Sequence, residues 1–271
     1  MLEEKAKELR KSVLKTICEG GGGHIPASLS IMDILVALYY DVLKIDPKNP
    51  KDPDRDRFIL SKGHAGVSLY AVLADVGFFD KEHLKTFGQK GTILGGHPDM
   101  YCVPGVEAST GALGHGFPFG IGMALAGKMD KKDYRVFILL GDGECQEGSI
   151  WEAALFAPQH KLDNVVAIID YNKLQALDKL DNIVSLGSMA DKWKAFGWEV
   201  REVDGHDIPA LVDTFKSAPF VPGKPSLVLA HTTKGKGVSF MEDVAIWHYR
   251  MPNSEEMKLM CRELELEIDG F

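Results

Sequence analysis

Residues 136–153 read VFILLGDGECQEGSIWEA and carry the clearest structural signal in the chain. The segment joins an uncharged hydrophobic run, a glycine-rich turn and a helical pattern that starts near Gly148, which together predict one strand–turn–helix unit. Further short hydrophobic runs, with helix-like segments between them, occur at 57–60, 165–169, 198–200 and 226–230. The alternation predicts an α/β fold with a doubly wound, mostly parallel sheet and helices on both faces.

The ends of the chain have the pattern of amphipathic helices. Apolar residues recur every three or four positions from Leu2 to Ile17, and glycines from Gly20 end that stripe. A second helix is predicted from about Ser28 to Tyr39, and the polar stretch from Asp46 is predicted to be a surface loop. A last helix is predicted over 254–268. We detect no internal repeat and expect one domain over 1–271.

Composition limits the possible partners. The 271 residues are 45% hydrophobic and carry a net charge of −8, which argues against nucleic acid because phosphate backbones bind clustered Lys and Arg. The four cysteines are far apart and lack zinc spacing, so reduced thiols are expected. Because the sequence has neither a secretory signal nor a membrane-length apolar run, we expect a cytoplasmic protein that is not membrane-bound.

The glycine-rich turn suits a diphosphate held through a metal ion. Gly141 and Gly143 allow close approach of the backbone, and the following helix N-terminus attracts anions. Asp142 favours a phosphate only if a cation lies between them, and Mg²⁺ binds in this way. Asn172 ends the next strand and, with the Leu174 carbonyl, offers further oxygen ligands. Alone, each element reads as a tight turn; their pairing on consecutive strand ends favours the metal site.

Two other glycine-rich segments have open or negative interpretations. Lys234 and Lys236, after the last strand, either hold phosphate or are solvated. The stretch Gly111–Gly116 looks like a dinucleotide fingerprint, but its order is GxxGxG and no hydrophobic strand precedes it. A nicotinamide dinucleotide site is therefore not expected.

Five segments, taken in order, resemble transketolases, which depend on thiamine diphosphate (ThDP). GDGECQEGSIWEA followed by LDNVVAIIDYNKLQ resembles the signature of ThDP enzymes that runs from GDG to Asn. The other four are GGGGHIPASLSIMDILVALYY, DRFILSKGHAGVSLYAVL, LGGHPDMYCVPGVEASTGALGHGFPFGIGMA and TTKGKGVSFMEDVAIWHYRMPNSEE. The resemblance covers nearly the whole chain, but only the first domain of the family.

The resemblance implies a role for each matched residue. His24, His97 and His248 would be catalytic and face the donor sugar, with His248 also over the diphosphate. Glu147 would be an interface acid that couples paired sites, although its sequence position also suits a carboxylate that stabilises a helix start. The implied cofactor-binding residues are His64, Gly111, Ala112, Leu113, Gly141, Gly143, Glu144, Asn172 and His248. The implied ligands of Mg²⁺ or Ca²⁺ are Asp142, Asn172 and the Leu174 carbonyl.

Several positions depart from the family or have simpler explanations. Tyr249 follows His248 where the family often has glycine, and His115 replaces a frequent glutamine without an assigned role. Any one histidine beside glycine could be a hydrogen-bonding cap. The remaining histidines are expected to be solvated or structural: His83, His160, His206 and His231.

The region matched by the resemblance lacks the pyrimidine-binding and C-terminal domains of transketolases. It therefore implies the N-terminal subunit of a two-chain transketolase, with a C-terminal subunit as partner in an α₂β₂ assembly. The implied reaction moves a two-carbon ketol unit from a ketose phosphate to an aldose phosphate. Alternatives are a related enzyme for an unusual, for example branched, sugar phosphate, or a non-catalytic interaction subunit. The intact GDG and Asn172 weigh against the latter.

Overall fold

The computed structural model describes residues 1–20 and 22–266. Five strands form one fully parallel sheet in the order β1-β2-β3-β5-β4. The strands are β1 (Arg57–Leu60), β2 (Val136–Gly141), β3 (Val165–Tyr171), β4 (Glu199–Asp204) and β5 (Ser226–His231). The predicted α/β class with a parallel sheet is confirmed.

Ten α-helices connect and cover the strands within the described residues. They are α1 (Leu2–Gly20), α2 (Ile25–Ser30), α3 (Met32–Ala37), α4 (Gly66–Val76), α5 (Gly116–Met129), α6 (Gly148–Gln159), α7 (Leu180–Val184), α8 (Met189–Ala195), α9 (Ile208–Lys216) and α10 (Ser254–Glu263). None of these helices combines the length and the hydropathy that crossing a bilayer would require.

The sheet is buried on both faces because side chains alternate along each strand. Phe137 and Leu139 of β2 pack with apolar residues of α1, α3, α4 and α9. Ile138 and Leu140 point to the opposite face and pack with α5, α6 and α8. The near-continuous hydrophobic runs of the sequence follow from this double burial.

Three predicted elements differ most from the structure in their bounds, while β2, β3 and β5 extend one or two residues beyond their hydrophobic runs. The second helix begins earlier, at Ile25, because Pro26 is well placed in a first turn, and it divides at Ile31 into α2 and α3. Strand β4 runs to Asp204, beyond its predicted end at 200. The prediction stopped early because the second half of this edge strand is exposed and charged and so carries no hydrophobic signal. The last helix ends at Glu263, and residues 267–268 of that prediction lie outside the described residues.

The carboxyl ends of all five strands lie at one edge of the sheet, because the strands are parallel. The β2–β3 register pairs Gly141 with Asp170, so Asp142 comes level with the end of β3 and close to Asn172. In open α/β sheets this edge is where ligands bind.

Candidate active site

A cleft of about 340 Å³ lies beyond the carboxyl ends of the strands. It is lined by most of the residues that the sequence predicts for the site. They are His24, His64, His97, Gly111, Leu113, Gly141, Asp142, Gly143, Glu144, Asn172, Leu174 and His248. Seven separate parts of the sequence therefore meet at one place.

Asp142 is buried at the start of the turn after β2, with 3% of its surface exposed. Its carboxylate accepts hydrogen bonds from the Gly143 N–H at 2.7 Å and the Lys173 N–H at 2.5 Å. Burial, together with the nearby negative charge of Asp170, raises the pKa of Asp142 to about 6. A cation bound here would supply the positive charge that this carboxylate lacks.

Two more oxygen atoms face the cleft from the segment after β3. Asn172 is buried, and its Oδ1 accepts the Leu174 N–H at 3.0 Å. The Leu174 carbonyl accepts a hydrogen bond from the Lys234 ammonium at 2.9 Å. The carbonyl that the sequence predicts as a metal ligand thus already contacts a positive charge.

Lys62 and Asp170 form a buried ion pair at the base of the cleft, with only 2% and 0% of their side chains exposed. The Asp170 carboxylate also accepts hydrogen bonds from Ser30, Asn172 and Thr232. Burial alone would raise the pKa of Asp170, but the Lys62 charge and these donors hold it below its ordinary value. The pair locks the ends of β1 and β3 together, and removing one partner would leave an uncompensated charge.

Lys234 is the second buried cation of the cleft, with 3% of its surface exposed. Burial, with a contribution from the positive charge of Lys62, lowers the pKa of Lys234 to about 8. Lys236, two residues later, is partly exposed and lies 3.9 Å from Glu242. The sequence left open whether these lysines hold phosphate or are solvated. The structure places Lys234 in the cleft, where it could hold phosphate, and Lys236 at the surface.

Three histidine rings form a compact cluster above the two lysines. The ring centroids lie 5.2 Å apart for His24 and His64, 5.3 Å for His24 and His248, and 5.5 Å for His64 and His248. Burial lowers the pKa of His24 to about 4 and that of His248 to about 3, and it lowers the pKa of His64 well below its usual range. The nearby lysines contribute to each shift, so all three rings are neutral at pH 7.

His97 enters the cleft from the other side, against the backbone of Gly111. Gly111 has a φ of 150°, and an added Cβ would lie 3.0 Å from the His97 ring. Glycine is therefore required here both by backbone conformation and by the close approach of the histidine.

Glu144 holds the cleft walls together through its buried carboxylate. It accepts hydrogen bonds from the Ser61 hydroxyl at 2.6 Å and from the N–H groups of Gly114 at 3.0 Å and Gly141 at 3.1 Å. Both carboxylate oxygens are engaged in these internal bonds. Glu144 therefore shapes the cleft indirectly, by holding the segments of Ser61, Gly114 and Gly141 together.

Two predicted site residues do not line the cleft. Ala112 is exposed beside Gly111, and Glu147 is exposed at the N-cap of α6, where its side chain makes no capping hydrogen bond. The role of Glu147 at an interface stays a prediction.

The other histidines lie outside the cleft lining. His83 and His160 are exposed, while His231 bonds Glu202 at 2.7 Å. His206 lies between the Asp33 carboxylate at 2.7 Å and the Thr233 N–H at 2.8 Å, so it supports the loop that carries Lys234.

The chemistry of the cleft fits a metal-bound diphosphate. One carboxylate, one amide oxygen and one carbonyl match the oxygen ligands of Mg²⁺ or Ca²⁺, while two buried ammonium groups match the negative charge of phosphates. Among the described residues, no group of three or more His, Cys, Asp or Glu side chains is placed to hold a metal ion. A metal in this cleft would therefore need the amide and carbonyl oxygens as ligands. Two buried nitrogen atoms beside the cleft, His248 Nδ1 and Gln175 Nε2, have no partner among the described residues and remain available to a ligand.

Comparison with known proteins gives the same assignment. The family described as "Transketolase, thiamine diphosphate binding domain" matches residues 2–268. One subunit of the apulose-4-phosphate transketolase of Phocaeicola vulgatus is 46% identical over 268 residues, covering 99% of this chain and 95% of the relative. The 6-deoxy-6-sulfo-D-fructose transketolase subunit SqwG of a Clostridium strain is 45% identical over 266 residues, covering 98% and 97%.

The fold comparison agrees with the sequence comparison. Transketolase from Leishmania mexicana superposes with a TM-score of 0.91 at 26% identity, covering 100% of this chain and 43% of that protein. The resemblance drawn from the five sequence segments is thereby confirmed. The chain belongs to the transketolase family and comprises its thiamine diphosphate binding domain.

Proposed function

We propose that this chain is the N-terminal subunit of a two-chain transketolase, which transfers a two-carbon ketol unit from a ketose phosphate to an aldose phosphate. The observation that carries the proposal is the meeting of Asp142, Asn172 and the Leu174 carbonyl with Lys62 and Lys234 in one cleft. The two relatives that are themselves named as subunits, matched over 95% and 97% of their length, support the division into two chains.

Asp142, Asn172 and the Leu174 carbonyl would hold Mg²⁺ or Ca²⁺, and His64, Gly143 and the two lysines would hold the diphosphate of ThDP. When bound, ThDP supplies the electron sink for breaking and forming the carbon–carbon bond. Lys234 donates to the Leu174 carbonyl, so its ammonium lies beside the proposed metal ligands and within the cleft that would hold the diphosphate.

The histidines would act on the sugar. His24, His97 and His248 line the cleft, and the reacting oxygens of a bound donor would lie beside them. The depressed pKa values of His24 and His248 keep these rings neutral, so each offers one N–H donor and one nitrogen acceptor. Positioned donors of this kind stabilise negative charge as it develops on oxygen.

The remaining parts of the site would come from a partner chain. We propose a C-terminal subunit with the pyrimidine-binding and C-terminal domains, assembled as α₂β₂, in the cytoplasm. His97 is exposed at the cleft, which leaves a face on which a second chain could complete the site. Glu147, exposed at the start of α6, is a candidate contact between paired sites.

A second candidate function concerns the sugar. Relatives with similar coverage are named for apulose-4-phosphate and for 6-deoxy-6-sulfo-D-fructose. An unusual sugar, for example a branched sugar phosphate, is therefore the alternative substrate for this chain.

The test is to purify the chain with and without the product of the neighbouring reading frame and to assay ketol transfer with ThDP and Mg²⁺. We expect activity only from the two chains together. Activity of this chain alone would contradict the divided site. A stable two-chain complex that is inert with five-, six- and seven-carbon and branched sugar phosphates would favour the non-catalytic interaction subunit.

A further inference from the structure

Tyr249 lies beside the histidine cluster of the cleft, against the ring of His24. Its ring centroid is 4.8 Å from that of His24, with an angle of 58° between the ring planes. This distance is shorter than the separations within the histidine cluster, which are 5.2–5.5 Å. The Tyr249 ring therefore extends the wall formed by the histidines outward from the cleft.

Packing does not account for the side chain. Tyr249 is 69% exposed, and its hydroxyl has no hydrogen-bond partner among the described residues. Its backbone φ is −134°, which any residue can adopt, so neither the fold nor the turn requires a tyrosine. An exposed aromatic ring that has a free hydroxyl and packs on one of the cleft histidines is available to a ligand.

The neighbouring side chains point elsewhere. Trp247 is buried against Phe240, and the Arg250 guanidinium stacks on Trp247 at 4.1 Å and pairs with Glu256 at 2.9 Å. Since Arg250 is held in this way, Tyr249 is the residue of the turn that adds to the histidine cluster beyond His248.

We propose that Tyr249 determines the sugar specificity of this enzyme by contacting the substrate carbons beyond the transferred two-carbon unit. This inference rests on the proposed transketolase function. In that function His24 lies beside the reacting oxygens of the donor, and Tyr249, which packs on His24, would face the carbons that follow. The ring packs on the C–H face of the sugar and excludes bulky substituents, while the hydroxyl bonds a sugar hydroxyl. Glycine at this position would leave both contacts unmade.

The experiment compares Tyr249→Gly, Tyr249→Phe and Ile246→Ala in the complex with the partner chain. Ile246 is the matched control because it lies in the same turn and is as exposed as Tyr249, at 68%, but it makes no ring contact with the histidine cluster. For each variant, KM and kcat are measured with five-, six- and seven-carbon ketose phosphates and one branched sugar phosphate.

We expect Tyr249→Gly to raise KM for the preferred substrate by about tenfold with kcat changed less, and to shift the kcat/KM ratio between bulky and preferred substrates by about tenfold, the usual range for pocket contacts. Tyr249→Phe should retain size selection and lose part of the KM contribution. Ile246→Ala should match the wild type.

An unchanged ratio in Tyr249→Gly, with activity intact, overturns the specificity role while leaving the transketolase function standing. So does a variant whose only defect is weaker association with the partner chain. A wild-type complex that transfers no ketol unit would instead refute the proposed function. Melting temperatures of all three variants identify any loss of folding.

Discussion

The Lys234 ammonium lies 2.9 Å from the Leu174 carbonyl, in a cleft where that carbonyl is the proposed third ligand of a metal ion. Lys234 is therefore a buried cation placed beside the proposed metal and diphosphate site. We predict that Lys234→Met weakens ThDP binding at saturating Mg²⁺ by about tenfold, since a charge-assisted hydrogen bond contributes about 1.5–3 kcal/mol. Isothermal titration calorimetry on the two-chain complex measures the change.

Lys236→Met is the matched control for this prediction. Both lysines belong to one glycine-rich loop, but Lys236 is partly exposed and faces Glu242. Its replacement should leave the ThDP dissociation constant within about twofold of the wild type, because exposed pairs contribute little. Equal losses in the two variants would show that the loop carries only a diffuse positive charge.

The histidine cluster predicts a specific loss of stability in acid. The pKa of His24 is about 4 in the folded chain, against about 6.5 for an unperturbed histidine. Between these values the unfolded chain binds a proton that the folded chain does not, so the free energy of unfolding falls as the pH drops from about 6.5 to 4. Replacing His24 should reduce that slope.

The measurement is the melting temperature at several pH values for the wild type, His24→Asn and His83→Asn. Asparagine suits the N-cap position of α2, where the His24 side chain makes no capping hydrogen bond, while His83 is exposed and outside the cleft. A smaller pH dependence in His24→Asn alone supports the neutral buried cluster. If the melting temperatures of both variants fall with decreasing pH as steeply as that of the wild type, His24 is not held neutral by its surroundings.

Gly111 should be needed for the position of His97. In Gly111→Ala, a Cβ 3.0 Å from the ring would force His97 to shift by a few tenths of an ångström, so we predict up to about a tenfold fall in kcat/KM for the donor. Steady-state kinetics on the two-chain complex test this. Gly91→Ala is the control, because Gly91 has a φ of 85° but no atom within 4 Å of the added Cβ. Equal loss in both variants would assign the effect to backbone strain.

Much of the fold could be predicted because the sheet is buried on both faces. The strands β1, β2, β3 and β5 appear in the sequence as uninterrupted hydrophobic runs, and their ends locate the cleft. The edge strand β4 was only partly predictable, since its exposed residues carry charge. The division of the second helix at Ile31 has no local sequence signal.

The site was predicted less completely than the fold. The meeting of Asp142, Asn172 and four histidines in one cleft could be predicted because each follows a strand or matches a family segment. Lys62 was missed, although Ser61-Lys62-Gly63-His64 ends β1, because a lone lysine in a loop is ordinarily solvated and only the tertiary fold buries it against Asp170. Lys234 could not be separated from Lys236 for the same reason.

The most direct test of the proposed metal-bound diphosphate site is calorimetric titration of ThDP into the two-chain complex, with Mg²⁺ and with a chelator, for the wild type and Asp142→Ala. We predict that Mg²⁺ strengthens ThDP binding to the wild type by about tenfold or more. In Asp142→Ala, which should remain folded, ThDP binding should be the same with Mg²⁺ and with the chelator. An Asp142→Ala complex in which Mg²⁺ still strengthens ThDP binding to the wild-type extent would contradict the metal site.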